Sequence, residues 1–302
     1  MKVLRLAALV LCVGLATSRL GLLAHELVGH GGAATLMGGH VTMVRLFWFA
    51  GGWVRYENLT HGRLFVSMGG IGLEIVIGGL LLLLLMRRAR SFAVVIGRCV
   101  GAALVIHPAW YLATGAFLGY GDGAGLHDLL GSASVAVWLP AALLAISAAF
   151  FASRMAVGAF TQVAGGRAFV VLALVVGLGA QLAASQIELR VRRDESYTAM
   201  MTHANKRDAF REYAAWLAQQ KQRGAVPEDV QRAQLQKTLD NAPPEFPFAY
   251  VLGALLGIAV LAGALMTRPA PDAVLTSRLL AAAAATALGS IALVIAIGAL
   301  LS

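Results

Sequence analysis

Apolar runs long enough to cross a bilayer, which takes about 20 residues of helix, recur along most of this chain. Inside hydrocarbon a backbone must satisfy its own N–H and C=O groups, so such runs fold as helices. We read seven spans: residues 4–28, Arg63 to Met86, Ala93 to Phe117, Ala133 to Phe151, Ala168 to Gln186, Phe248 to Met266 and Val274 to Leu301. The expected fold is an all-α polytopic membrane protein. Two short departures are expected as well. Gly38 to Asn58 alternates aromatic and Val residues with turn formers and reads as a β-prone hairpin, while residues 188–246 are polar and read as a small helical extramembrane insertion, punctuated by Gly224, Pro227, Pro243 and Pro244. The resulting division is a core over 1–131, spans 4 and 5 over 132–187, the insertion over 188–246 and the last two spans over 247–302.

Composition agrees with that reading. Of 302 residues, 59% are hydrophobic and 13% charged, where a soluble domain carries about a quarter charged. The net charge of +9 does not indicate nucleic acid, because the cations flank apolar runs instead of forming a stripe interleaved with aromatics. They act as topology signals. Lys2 and Arg5, then Arg87, Arg88 and Arg90, then Arg154 and Arg167, then Arg268 and Arg278 fall on alternate connections and so on one side, expected to be cytoplasmic. Arg45 and Arg55 run against this scheme. Residues 1–18 also fit a cleaved signal peptide, but apolar character resumes at Leu20, so a retained first span is the expectation. Cys12 and Cys99 lie inside apolar stretches and read as small core residues.

One cluster breaks the apolar pattern. His25, Glu26, Leu27, Val28, Gly29 and His30 put two imidazoles and a carboxylate where hydrocarbon or its boundary is expected, and ionisable groups there are costly and usually functional. Two His and one further ligand hold zinc with an open position, where bound water becomes a nucleophile and a carboxylate takes its proton. Glu26 is the expected base. The usual H-E-x-x-H spacing sets its two His about 40° apart on an α-helix, whereas the five-residue spacing here sets them about 140° apart. Chelation therefore requires the helix to widen by one residue, as in a π-bulge, or to end at Gly29.

The six residues resemble the H-E-L-L-G-H motif of the dipeptidyl-peptidase III family, in which the same spacing binds zinc. A longer resemblance runs over roughly residues 20–130: HELVGHGGAATLMGG, a β-prone segment, the Gly-rich MGGIGLE and a later Asp-Gly are similar to the site-2 protease family, particularly its divergent bacterial branch. The resemblance implies intramembrane zinc proteolysis of membrane or membrane-adjacent proteins, with Zn2+ on His25, His30 and Asp122 and with Glu26 activating the zinc-bound water. It also implies a multi-pass protein, expected in a bacterial inner membrane. The charge pattern independently sets the end of span 1 and the Asp122 loop on one side, opposite the N-terminus and together with residues 188–246.

Other residues compete for these roles. Glu74, in span 2, is an alternative third ligand, a proton relay or a partner of Arg19, and His127 and Asp128 are ligand or supporting alternatives to Asp122. His107, before Pro108, reads as a satisfied core histidine, and the pairs Gly115/Gly119 and Gly253/Gly257 as packing features. A substrate backbone would have to unwind, and pairing with the Gly38–Asn58 segment offers it a route. The rival expectation is a catalytically inactive membrane scaffold, metal sensor or transport component.

Overall fold

A computed structural model describes residues 1–88, 91–192, 207–222, 224–242, 246–267 and 274–301; Arg90, Arg268, Pro243 and Pro244 lie outside the described residues. Seven helices among them are long and apolar enough to span a membrane. The first combines α1 (Lys2–Leu23), a π-helical stretch (Ala24–Gly32) and α2 (Ala33–Leu36), so it continues eight residues beyond the expected end at 28. A hairpin follows, β1 (His40–Leu46) and β2 (Gly52–Glu57), and then α3 (Arg63–Met86) and α4 (Phe92–Leu118). A 3-10 turn (Gly121–Gly123) and α5 (Ala124–Leu130) lead, through a second 3-10 turn, into α6 (Val135–Ala164). Next come α7 (Arg167–Arg192), the polar helices α8 (Arg207–Lys221) and α9 (Glu228–Asn241), and the apolar α10 (Phe248–Leu265) and α11 (Ser277–Leu301).

Small residues bring the spans together, as expected where lipid removes the hydrophobic drive between helices. A Cβ on Gly70 would stand 2.6 Å from the His25 ring, and one on Gly29 would stand 2.5 Å from the Gly70 backbone, so only glycines let α3 lie this close to the first span. The expected pair Gly253/Gly257 faces open space instead, and α10 meets α6 through Gly263, against the Phe150 carbonyl. One apolar cluster joins α1, α4, α6 and α7 around Leu6, Leu9, Phe92, Phe160 and Val170, and a second stacks Phe117, Trp138 and Phe248 between α4, α6 and α10. Large apolar side chains elsewhere on the spans, such as Leu84, Val175 and Leu261, point outward, as a lipid-facing surface requires.

The expected hairpin is present and antiparallel, pairing Val44 with Val54 and Leu46 with Gly52. It folds back along the first span: Val41 lies beside Gly31, Gly52 beside Leu22, and the Phe47 carbonyl accepts from the Arg19 guanidinium at 2.7 Å. Arg45 and Arg55, which ran against the charge pattern, lie over the hairpin's own Phe47 and Trp53 rings. Irregular backbone within a membrane must be satisfied by protein, and here α7 does it. Helix α7 runs to Arg192, six residues beyond the expected Gln186, so Glu188 belongs to the helix and not to the polar insertion. The Glu188 carboxylate accepts backbone N–H bonds from Trp48 (2.6 Å), Phe49 (2.6 Å) and Ala50 (3.1 Å). Arg192 donates to the Leu46 carbonyl, pairs with Glu188 at 3.3 Å and lies over the Phe47 and Trp48 rings.

Candidate metal centre

The π-helical stretch covers the whole HELVGH run. A π-helix closes i→i+5 hydrogen bonds, so residues five apart come one above the other, which resolves the 140° problem by widening and not by terminating the helix. The two Nε2 atoms of His25 and His30 stand 3.1 Å apart.

Asp122 reaches them from the loop after α4. Gly119, at φ +73°, ends that helix with its N–H on the Gly115 carbonyl at 2.7 Å, and the chain reverses so tightly that a Cβ on Gly123 would lie 2.3 Å from the Ala116 nitrogen. Gly115 and Gly119 thus build the turn that presents Asp122, a role beyond the packing expected of them. Asp122 Oδ2 lies 2.9 Å from His25 Nε2 and 3.2 Å from His30 Nε2. Three ligand atoms on a triangle of this size fit three corners of a zinc tetrahedron, whose edges are about 3.3 Å for bonds near 2.0 Å. His25, His30 and Asp122 form a group that can hold a metal ion, the only one found among the described residues.

The opposite ring nitrogens fix the imidazoles. His30 Nδ1 lies 2.7 Å from the Val66 carbonyl, which can only accept, so His30 donates there and its Nε2 keeps a lone pair. His25 Nδ1 lies 3.3 Å from Glu74 Oε2, and the same reasoning leaves its Nε2 as an acceptor too. With both imidazoles neutral, three acceptors then converge on one point, an arrangement that repels itself until a cation sits among them. A carboxylate on the far nitrogen of a ligating His is the usual means of orienting it.

Glu74 therefore stands on the wrong nitrogen to share the ion with Asp122. It orients His25, and it faces His107 Nδ1 at 3.9 Å instead of Arg19. His107 is not the buried core residue expected: its side chain is 69% exposed and its ring is parallel to that of Tyr111. His127 turns its Nδ1 to the Ala116 carbonyl at 3.0 Å, bracing the loop that carries Asp122, and Asp128 is exposed. Glu26 is 6% exposed, makes no hydrogen bond or ion pair among the described residues, and lies close enough to His25, His30 and Asp122 for its charge to act on all three.

The centre is deep. Glu74 lies eleven residues from Arg63 and twelve from Met86, about 17 Å from either end of α3. Sequence reasoning missed the Val66 carbonyl, Gly70 and Glu188. The MGGIGLE run signalled a close approach at Gly70, and Ile187, Leu189 and Val191 signalled that α7 continues, but a carbonyl partner leaves no trace in residue type. Comparison with protein-family models, with curated proteins and with solved structures finds no match to this chain.

Proposed function

We propose that the chain is a membrane-embedded zinc metalloprotease that hydrolyses peptide bonds of membrane or membrane-adjacent proteins. The observation that carries this reading is the convergence of His25 Nε2, His30 Nε2 and Asp122 Oδ2 within 3.2 Å of one another, next to the buried Glu26 carboxylate, which has no hydrogen-bond partner among the described residues. His25, His30 and Asp122 would hold the zinc, which would supply Lewis acidity and an activated water there. Glu26 would accept a proton from that water and return it to the leaving amine, while Glu74 and the Val66 carbonyl hold the two imidazoles in register. The mid-span depth of Glu74 favours membrane segments as substrates. Each strand of the hairpin pairs with only one neighbour among the described residues, so an outer edge remains for an unwound substrate backbone. Under this proposal the membrane is a bacterial inner membrane, with Lys2 cytoplasmic and the α8–α9 segment on the far side.

Glu26→Gln tests the proposal. Removing a general base costs roughly 10²–10⁴-fold in rate, so cleavage of a membrane peptide should be lost while zinc stays bound. Equal cleavage by the variant refutes the assigned base. Bound zinc with no cleavage in the wild type favours a metal sensor or scaffold.

A further inference from the structure

A cavity of about 480 Å3, within the size range of ligand pockets, opens between α1, α3, α4 and α11. Its walls are apolar, formed by side chains such as Val13, Leu20, Ile77, Leu104 and Ala283. Gly21, Ala24 and Glu74 also line it, and Glu74 Oε2 meets His25 Nδ1, so the cavity ends behind that imidazole, on the side opposite its Nε2. The single ionisable residue in its wall is Glu74.

The two oxygens of that carboxylate differ. Oε2 faces His25 and His107, whereas Oε1 lies over Gly21, where an added Cβ would stand 2.8 Å away, and accepts no hydrogen bond among the described residues. Glu74 is 6% exposed, and a carboxylate oxygen so deeply placed is costly to leave without a donor. The occupant that answers both features is aliphatic along its length and carries an N–H at mid-span depth. Lipid acyl chains match the walls, but lipids carry their N–H donors at the headgroup. An unwound apolar peptide carries one at every residue.

We propose that this cavity is the subsite for the apolar side chains of a locally unwound membrane peptide, with Glu74 Oε1 accepting a backbone N–H behind His25, away from the bond presented to the triad. The inference rests on the proteolytic reading of the centre and names its substrate class: peptides with large aliphatic residues on the side of the cut bond that faces the N-terminal half of α1.

The test uses the full chain in lipid nanodiscs. A single-span synthetic peptide carrying photo-leucine at successive positions is bound to the Glu26→Gln protein, and cross-links are mapped by mass spectrometry. The expected labels fall on the cavity walls. Ala283→Phe, or Ala282→Phe should the first variant misfold, fills the space and lowers their yield about tenfold, the scale on which apolar pockets discriminate side chains. With Glu26 intact, the same substitution raises KM for a leucine-bearing peptide about tenfold, leaves kcat within about threefold and leaves zinc content unchanged. A peptide in which an ester replaces the amide at the contacting residue, and so lacks the N–H, binds at least about tenfold more weakly, as loss of a hydrogen bond to a charged group predicts. Cross-links outside the cavity, or yields indifferent to both fillings, overturn the proposal. So does a co-purified lipid that the filled variant loses while peptide labelling stays constant. A wild type that labels as expected but cuts nothing refutes proteolysis and leaves the peptide subsite standing.

Discussion

Two buried polar clusters lie within the apolar helices, and they are built in opposite ways. At the hairpin tip each acceptor meets a donor: Glu188 takes three backbone N–H groups and Arg192, and the Leu46 and Phe47 carbonyls take Arg192 and Arg19. At the candidate metal centre, with both imidazoles neutral, three acceptor atoms face one another at 2.9–3.2 Å, and Glu26 beside them has no partner among the described residues. Burial and charge do not separate the two. Hydrogen-bond accounting does: a cluster whose acceptors all meet donors is architecture, and one whose acceptors converge can hold a cation.

Removing one member of each cluster should break this contrast or sharpen it. Glu188→Ala leaves three backbone N–H groups, that of Ala50 buried, and Arg192 without this acceptor, so it should cost about 1–3 kcal/mol. Thermal unfolding in detergent measures the loss, and amide exchange at Trp48, Phe49 and Ala50 should accelerate while zinc binding persists in the folded fraction. A variant as stable as wild type would strip the clasp of its structural role. Glu74→Gln is the converse case. It should leave the fold stable and weaken zinc affinity 10–100-fold, the usual effect of losing a carboxylate behind a ligating His, as a competition titration with a chelator would read. Complete loss of metal would instead make Glu74 a ligand. The smallest effect belongs to Gly253→Ala, where an added Cβ meets nothing within 4 Å: stability should change by no more than about 0.5 kcal/mol.

Much of this was legible in the sequence, for reasons that vary by residue. The spans announce themselves through length and apolarity, and the five-residue gap between His25 and His30 required a helix that widens or ends at Gly29, of which the π-helical stretch is the first. Asp122 was reachable only through a family resemblance and a charge pattern, because 97 residues separate it from its partner His25. The side of His25 on which Glu74 stands, and the 140-residue reach of Glu188 to Trp48, depend on how helices rotate and pack. Residue type carries no record of that. The hairpin was legible as a hairpin, but its folding back along α1 follows from the clasp, and the clasp was hidden by assigning Glu188 to the polar insertion.

The central claim is that His25, His30 and Asp122 hold one zinc ion in the membrane, and metal stoichiometry tests it most directly. Detergent-purified wild type, stripped of adventitious metal and reloaded, should carry about one zinc per chain, and His25→Ala, His30→Ala and Asp122→Ala should each carry almost none, while Glu26→Gln retains it. A wild type that takes up no zinc, or triad variants that bind it as well as wild type does, would contradict the account.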